Sequence, residues 1–124
     1  MKIELSKRLQ AVANLVSPGM RLADIGTDHA YIPIYLVENE KIPQAIAMDI
    51  NKGPLERAEK HIKAHGLEHQ IQTRLSDGMA KLQAGEADCA VIAGMGGALM
   101  IKILEEGRKT ALQLQELVLQ PQSE

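Results

Sequence analysis

The sequence predicts an α/β fold, a doubly wound and mostly parallel sheet flanked by helices. Three observations predict it. Short apolar runs alternate with segments of helical period from Arg21 to Gln120, with no repeats, linkers or low-complexity tracts. Acids or glycines stand at four successive strand ends, at Asp24/Gly26, Asp49, Asp77 and Gly94. A crevice at the carboxyl edge of a parallel sheet would gather all four. The stretch from Leu22 to Pro33 reads as a buried strand, a glycine turn and a helix start, which is how nucleotide-binding α/β folds open.

The elements follow in order. Ser6 can cap a helix whose apolar residues Leu9, Val12, Ala13 and Val16 keep the i, i+3, i+4, i+7 rule, ending before Ser17-Pro18-Gly19. Lys2, Lys7 and Arg8 lie in or near its first turn and read as a solvated face rather than a nucleic-acid patch. Leu22, Ala23 and Ile25 make the first strand, Gly26 ends it, and Pro33 sits in the first turn of the next helix, which runs to about Asn39-Glu40-Lys41. Gln44 to Asp49 is a second buried strand. Asn51 can cap a helix with Leu55, Ala58 and Ile62 on its core face, stopped by Gly66. Ile71 to Leu75 is the third strand, with a short Met79-to-Leu82 helix after it. Ala87 to Ala93 is the fourth strand, with Gly94-Met-Gly-Gly97 next. Ala98 to Glu106 forms a helix with Leu99, Met100, Ile103 and Leu104 inward, and Glu116 to Gln120 is the fifth strand.

Composition narrows the class. At 124 residues, 45% hydrophobic and 24% charged, the chain is one ordinary globular domain. No apolar run nears the ~20 residues of a membrane span, and the N-terminus has no signal-peptide core. Cys89 is the only cysteine, so no internal disulfide forms and a cytoplasmic location is expected. A net charge of −2 means that any nucleic-acid surface must be local or lie outside this chain. His61 and His65 are four apart, yet His69 falls beyond Gly66 and no carboxylate completes a ligand set. They read as two surface histidines, and no metal is expected.

The glycine turn discriminates between ligands. A dinucleotide site wants G-x-G-x-x-G, so that backbone can approach a pyrophosphate. Here the window is Gly26-Thr-Asp-His-Ala-Tyr31, with Asp28 at the second glycine position and Tyr31 at the third. A carboxylate there would repel a pyrophosphate. S-adenosylmethionine has no phosphate and carries a sulfonium and an ammonium, which Asp24 and Asp28 would attract. Asp49 lies 23 residues after Gly26, close to the spacing of a carboxylate that grips two ribose hydroxyls. For Asp77, beside Gly78, two readings stand equal: it reads the amino group of an adenine, or it caps the short helix that follows. Three glycines at the fourth strand end allow backbone to lie against a ligand.

Asp24-Ile-Gly-Thr-Asp-His-Ala-Tyr-Ile-Pro33, Asp49-Ile-Asn51, Ser76-Asp-Gly78, Ala93-Gly-Met-Gly-Gly97 and Gln120-Pro-Gln122 together resemble the bacterial tRNA (adenine-22-N1)-methyltransferase family, over essentially the whole chain. The resemblance implies a Rossmann-like, class I S-adenosylmethionine-dependent fold. In that family a helical, coiled-coil-like C-terminal domain follows the methyltransferase domain. Residues 1–124 are therefore expected to be the N-terminal methyltransferase part, truncated after about strand five, binding cofactor but methylating tRNA more slowly than a full-length relative.

It further implies methyl transfer to N1 of a tRNA adenine that is unpaired or flipped out. Asp24, Gly26, Thr27, Asp49, Ile50, Asn51, Asp77, Gly78, Gly94 and Met95 are the cofactor candidates. Asp28 is the candidate catalytic carboxylate, stabilising the cationic adenine or accepting an N6 proton; a structural or cofactor-facing role is the alternative. His29, Tyr31, Gly96 and Gly97 are the substrate candidates, with His29 or Tyr31 the ring that would stack on the base. No Asn-Pro-Pro-Tyr string follows strand four, which disfavours amino-group methylation. A methyltransferase acting on a small molecule or protein, and an inactive cofactor-binding module, are the other two readings.

Overall fold

Ser6 stands in extended conformation and its hydroxyl accepts the Leu9 N–H, which starts α1 (Lys7–Leu15) where the sequence places it. The computed structural model describes residues 2–122. After α1 come β1 (Leu22–Ile25), α2 (Tyr31–Glu38), β2 (Ala45–Asp49), α3 (Lys52–Ala64) and β3 (Ile71–Leu75). They are followed by β4 (Cys89–Gly96), α4 (Gly97–Glu106), α5 (Arg108–Gln113) and β5 (Glu116–Gln122). The five strands form one sheet in the order β3-β2-β1-β4-β5, every pair parallel. Leu22 of β1 lies in register with Ala45 of β2 on one side and Cys89 of β4 on the other. The chain leaves β3 at one edge and re-enters beside β1. The order therefore reverses between β1 and β4, and there the carboxyl ends leave a crevice.

The strands of such a sheet are covered on both faces, and their alternation sorts the core into two layers. Leu22, Ala45, Ala47 and Val91 cluster with Val12, Ile34, Leu36 and Ile62, contributed from the α1–α3 side. Ala23, Ile25, Met48 and Ile92 cluster with Met100 and Ile103 of α4. Asp24 belongs by its parity to the first layer, beneath α1 and α2.

Four expectations change. Met79 to Leu82 is a pair of turns, not a helix. The Ser76 hydroxyl donates to the Gly78 carbonyl and accepts the Lys81 N–H, so a side chain takes the bonds a helical turn would make. Met79 and Leu82 are buried all the same. In α4, Met100 and Ile103 face the core, whereas Leu99 is 50% exposed because it lies one helical step off that face. The fourth strand runs on through Gly94 to Gly96, with an irregularity between Ala93 and Met95 where Gly94 takes φ +77°. Finally α5, with no buried residue, has no apolar stripe to announce it.

Candidate functional site

At the switch between β1 and β4 lies a cavity of about 240 Å³. The β1–α2 connection supplies its floor and one wall through Asp24, Gly26, Thr27, Asp28, His29 and Tyr31, together with Ile32. Ala93 and Gly94 of β4 form the opposite wall, and Arg8 and Leu9 of α1 close the mouth. The connection is held in a conformation few residues adopt: Gly26, Asp28 and Ala30 have φ of +75°, +52° and +61°. A Cβ on Gly26 would lie 3.1 Å from the Met95 methyl carbon, so glycine there answers both the backbone and the close approach of β4.

Asp24 is the buried carboxyl group of that floor, and Asp49, also buried, braces the connection without lining the cavity. Asp24 accepts a 2.7 Å hydrogen bond from the Thr27 hydroxyl. Burial pushes the Asp24 carboxyl up to about 7; the Thr27 hydrogen bond opposes that rise and the charge of Asp49 adds to it. Asp49, at the end of β2, accepts the Asp28 N–H at 3.2 Å and the Asn51 N–H at 3.0 Å. One oxygen is engaged by each neighbour and both retain further acceptor capacity. Asp49 thus ties the β1–α2 connection to the start of α3. Ile50 beside it is 57% exposed, an apolar side chain at a strand end, and Asn51 precedes α3 without a side-chain capping bond.

The Asp28 carboxylate is more than half exposed and pairs with Arg57 at 3.1 Å, with His29 Nε2 at 3.7 Å. The rings of His29 and Tyr31 stack at 4.9 Å and 14°. His61 joins them at 5.4 Å from each and donates its Nδ1 hydrogen to the His29 carbonyl at 3.0 Å. The buried Nδ1 of His29 has no partner among the described residues.

The two histidines read as surface residues are therefore not free surface groups. His61 steadies the ring cluster, and His65 sits 2.6 Å from Glu38 in a nearly buried pair that holds α3 against α2. Among the described residues no group of three or more His, Cys, Asp or Glu could hold a metal ion.

Asp77 and Gly78 are not brought into this cavity. They line a separate one of about 80 Å³ with Met79, Ile103 and Gly107. Gly78, at φ +57°, presses against the Ile103 side chain, where a Cβ would meet carbons at 3.3 Å, and Asp77 is exposed. Gly96 and Gly97 follow the bulge into α4, and Gly97 has open space where a Cβ would stand. Three participants went unread in the sequence. In the sequence Arg8 reads as part of a solvated face, Arg57 carries no local signal, and Gln120 stands in the Gln120-Pro-Gln122 string with no role attached to it.

Residues 5–124 match the family described as methyltransferase domain. The chain belongs to that family. The methyltransferase domain is 46% identical over 120 residues to the tRNA (adenine(22)-N(1))-methyltransferase of Bacillus subtilis, covering 97% of this chain and 50% of that protein. Streptococcus pneumoniae Sp1610 in complex with S-adenosyl-L-methionine superposes with a TM-score of 0.92 at 46% identity, over 95% of this chain and 56% of that one. M. capricolum TrmK bound to S-adenosyl-homocysteine gives a TM-score of 0.77 at 45% identity, over 82% of this chain and 46% of that one. The domain thus spans about half the length of the relatives it matches. Among the described residues no helix is long and apolar enough to cross a membrane.

Proposed function

We propose that this domain binds S-adenosylmethionine at the β1–β4 crevice and serves methyl transfer to N1 of an adenine in tRNA, in the cytoplasm. The observation that carries the reading is the pair of buried carboxyl groups, Asp24 and Asp49, under a glycine-bearing connection that places Asp28 where a pyrophosphate would need backbone. Such an acceptor set suits a cationic nucleoside and repels a dinucleotide phosphate. The relatives solved with S-adenosyl-L-methionine and S-adenosyl-homocysteine support it.

On this reading Asp49 accepts from the ribose hydroxyls, Ile50 and Asn51 flank the adenine, and Asp24, Gly26 and Thr27 hold the amino-acid end. Gly94 lines the β4 side, with Met95 next to it packed against Gly26, while Asp77 and Gly78 reach the cofactor only from their separate cavity. The cofactor supplies an electrophilic methyl group to a ring-nitrogen lone pair. The domain's part is to orient, to exclude water and to manage charge.

His29 and Tyr31 offer a stacked edge to a base, and Gly96 and Gly97 are the further substrate candidates. A methylated adenine N1 is cationic, and Asp28 is the carboxylate beside the cleft that can neutralise it or take the N6 proton. Arg57 pairs with Asp28 at 3.1 Å and holds that carboxylate in place beside the cleft.

Calorimetry with S-adenosylmethionine and with NADH tests the reading. Binding of the first alone is expected, and binding of NADH alone would overturn it. With unmodified tRNA and the cofactor, product analysis should yield 1-methyladenine; methylation of a protein or metabolite instead would move the substrate elsewhere.

A further inference from the structure

The Gln120-Pro-Gln122 string at the end of β5 has no part in the chemistry above, yet Gln120 reaches the mouth of the crevice. Its side-chain oxygen accepts two hydrogen bonds, from the Arg8 guanidinium at 2.8 Å and from the Gly94 N–H at 3.0 Å. Its amide nitrogen donates to the Pro121 carbonyl at 3.1 Å, which fixes the orientation of the amide, since the flipped form would set N–H groups against two donors. Gln120 therefore clamps Arg8 over β4, with a guanidinium nitrogen 3.3 Å from where a Cβ of Gly94 would stand.

The choice of an amide has an electrostatic consequence. Arg21, Arg57 and Arg74 each pair with a carboxylate, at Asp88, Asp28 and Glu86. Among the described residues Arg8 pairs with none; its partner is a neutral amide, so its full positive charge and its remaining N–H groups face the cavity that Asp24 lines from below. A cavity with a guanidinium at its mouth and a carboxyl on its floor complements a zwitterion. The ammonium of an α-amino acid goes to the acid, and its carboxylate goes to the fork of the arginine.

We infer that Arg8, held by Gln120, is the carboxylate-recognition residue for the amino-acid end of the bound cofactor, with Gln120 as its positioning residue. The inference rests on the cofactor reading above and adds to it a subsite, contributed by α1 and β5 rather than by the glycine connection. It also accounts for glutamine rather than glutamate at position 120: a glutamate would close an ion pair with Arg8 and withdraw its charge from the ligand.

The test compares S-adenosylhomocysteine with 5′-methylthioadenosine, which keeps the nucleoside and lacks the amino-acid end, by calorimetry on the wild-type chain and on Arg8→Ala, Arg8→Lys and Gln120→Glu. Arg8→Ala should weaken S-adenosylhomocysteine about 10–100-fold, the size of one charge-assisted pair, and leave 5′-methylthioadenosine within about twofold. Arg8→Lys should recover part of the loss, because a point charge remains without the fork. Gln120→Glu should reproduce the selective loss with Arg8 still present, a pattern that a merely structural role for either residue would not give. Unchanged S-adenosylhomocysteine affinity in Arg8→Ala, or equal losses for both ligands, overturns the assignment of Arg8. A wild-type chain that binds neither ligand overturns the cofactor reading itself, and this inference with it.

Discussion

Two strand ends in this domain carry the same local signature and become different things. Asp24-Ile-Gly26 closes β1, and Ser76-Asp-Gly78 follows β3; each places an acid beside a left-handed glycine at the carboxyl edge. At β1 the acid is buried, bonded to Thr27 and set in the floor of the crevice, and the glycine admits Met95 from across it. At β3 the acid is exposed and the glycine admits Ile103 of α4, a core residue. A glycine at a strand end thus says that something approaches closely, and only the fold says whether that is a ligand wall or a packed helix. The same holds for the acids: burial in a cavity, not position on a strand, separates a functional carboxyl group from a solvated one.

The sharpest way to break the comparison is to remove the charge at the buried end. The Asp24 carboxyl sits near 7 in the folded chain and near 3.8 when unfolded, with burial the main cause. A raised folded value means that the stabilising contribution is complete below about pH 4 and is lost as pH rises through 7. Ligand-free Asp24→Asn should therefore match the wild type near pH 4 and be more stable than it at pH 8, by up to ~4 kcal/mol at full ionisation. Denaturant melts at the two pH values measure this. A wild-type stability that rises from pH 5 to 8 relative to the variant would show that Asp24 is not buried as described. The same substitution should cost cofactor affinity, the trade expected where a strained group serves binding.

A smaller effect is expected one strand over. If Asp49 grips the ribose as proposed, Asp49→Ala should weaken S-adenosylmethionine by about 1–3 kcal/mol, because two hydroxyls would lose a charged acceptor and the Asp28 and Asn51 N–H groups lose theirs. Calorimetry reads it, and unchanged affinity would take Asp49 out of the ribose contact.

Asp49 also shows what the sequence makes legible. Its distance from Gly26, its place at the end of an apolar run and the cap residue Asn51 are all local, and β1, β2, α3 and the succession of the five strands are readable for the same reason. What escaped was set by contacts between distant segments. Arg8 looked solvated because its partner Gln120 lies 112 residues away, and only the packing of α1 beside β5 brings it to the crevice. His61 and His65 read as surface groups because their partners, the His29 carbonyl and Glu38, belong to another helix and its approach. The turn at Met79–Leu82 was missed because one serine side chain, bonding within its own loop, outcompeted a helical pattern.

The smallest effect belongs to the exposed end, and it decides between the two readings that the sequence left equal for Asp77. No helix follows Asp77, so a capping role has nothing to cap. If Asp77 accepts from the amino group of a cofactor adenine, it does so in contact with water. A hydrogen bond exchanged against solvent is worth about 0.5–1.5 kcal/mol, less than the buried Asp49 contact. Asp77→Ala should then leave stability within about 0.5 kcal/mol, as for a surface position, while weakening S-adenosylhomocysteine by no more than about tenfold. The loss should vanish for a cofactor analogue whose adenine amino group is replaced by hydrogen, since that edge of the purine then has no N–H to donate to the carboxylate. Combined with Asp49→Ala the two losses should add, because among the described residues no hydrogen bond joins the two side chains. An affinity indifferent to Asp77 with either ligand would make this strand end a packing corner, its glycine kept for Ile103 and its acid for solvent. The cofactor candidates would then be confined to β1, β2 and β4.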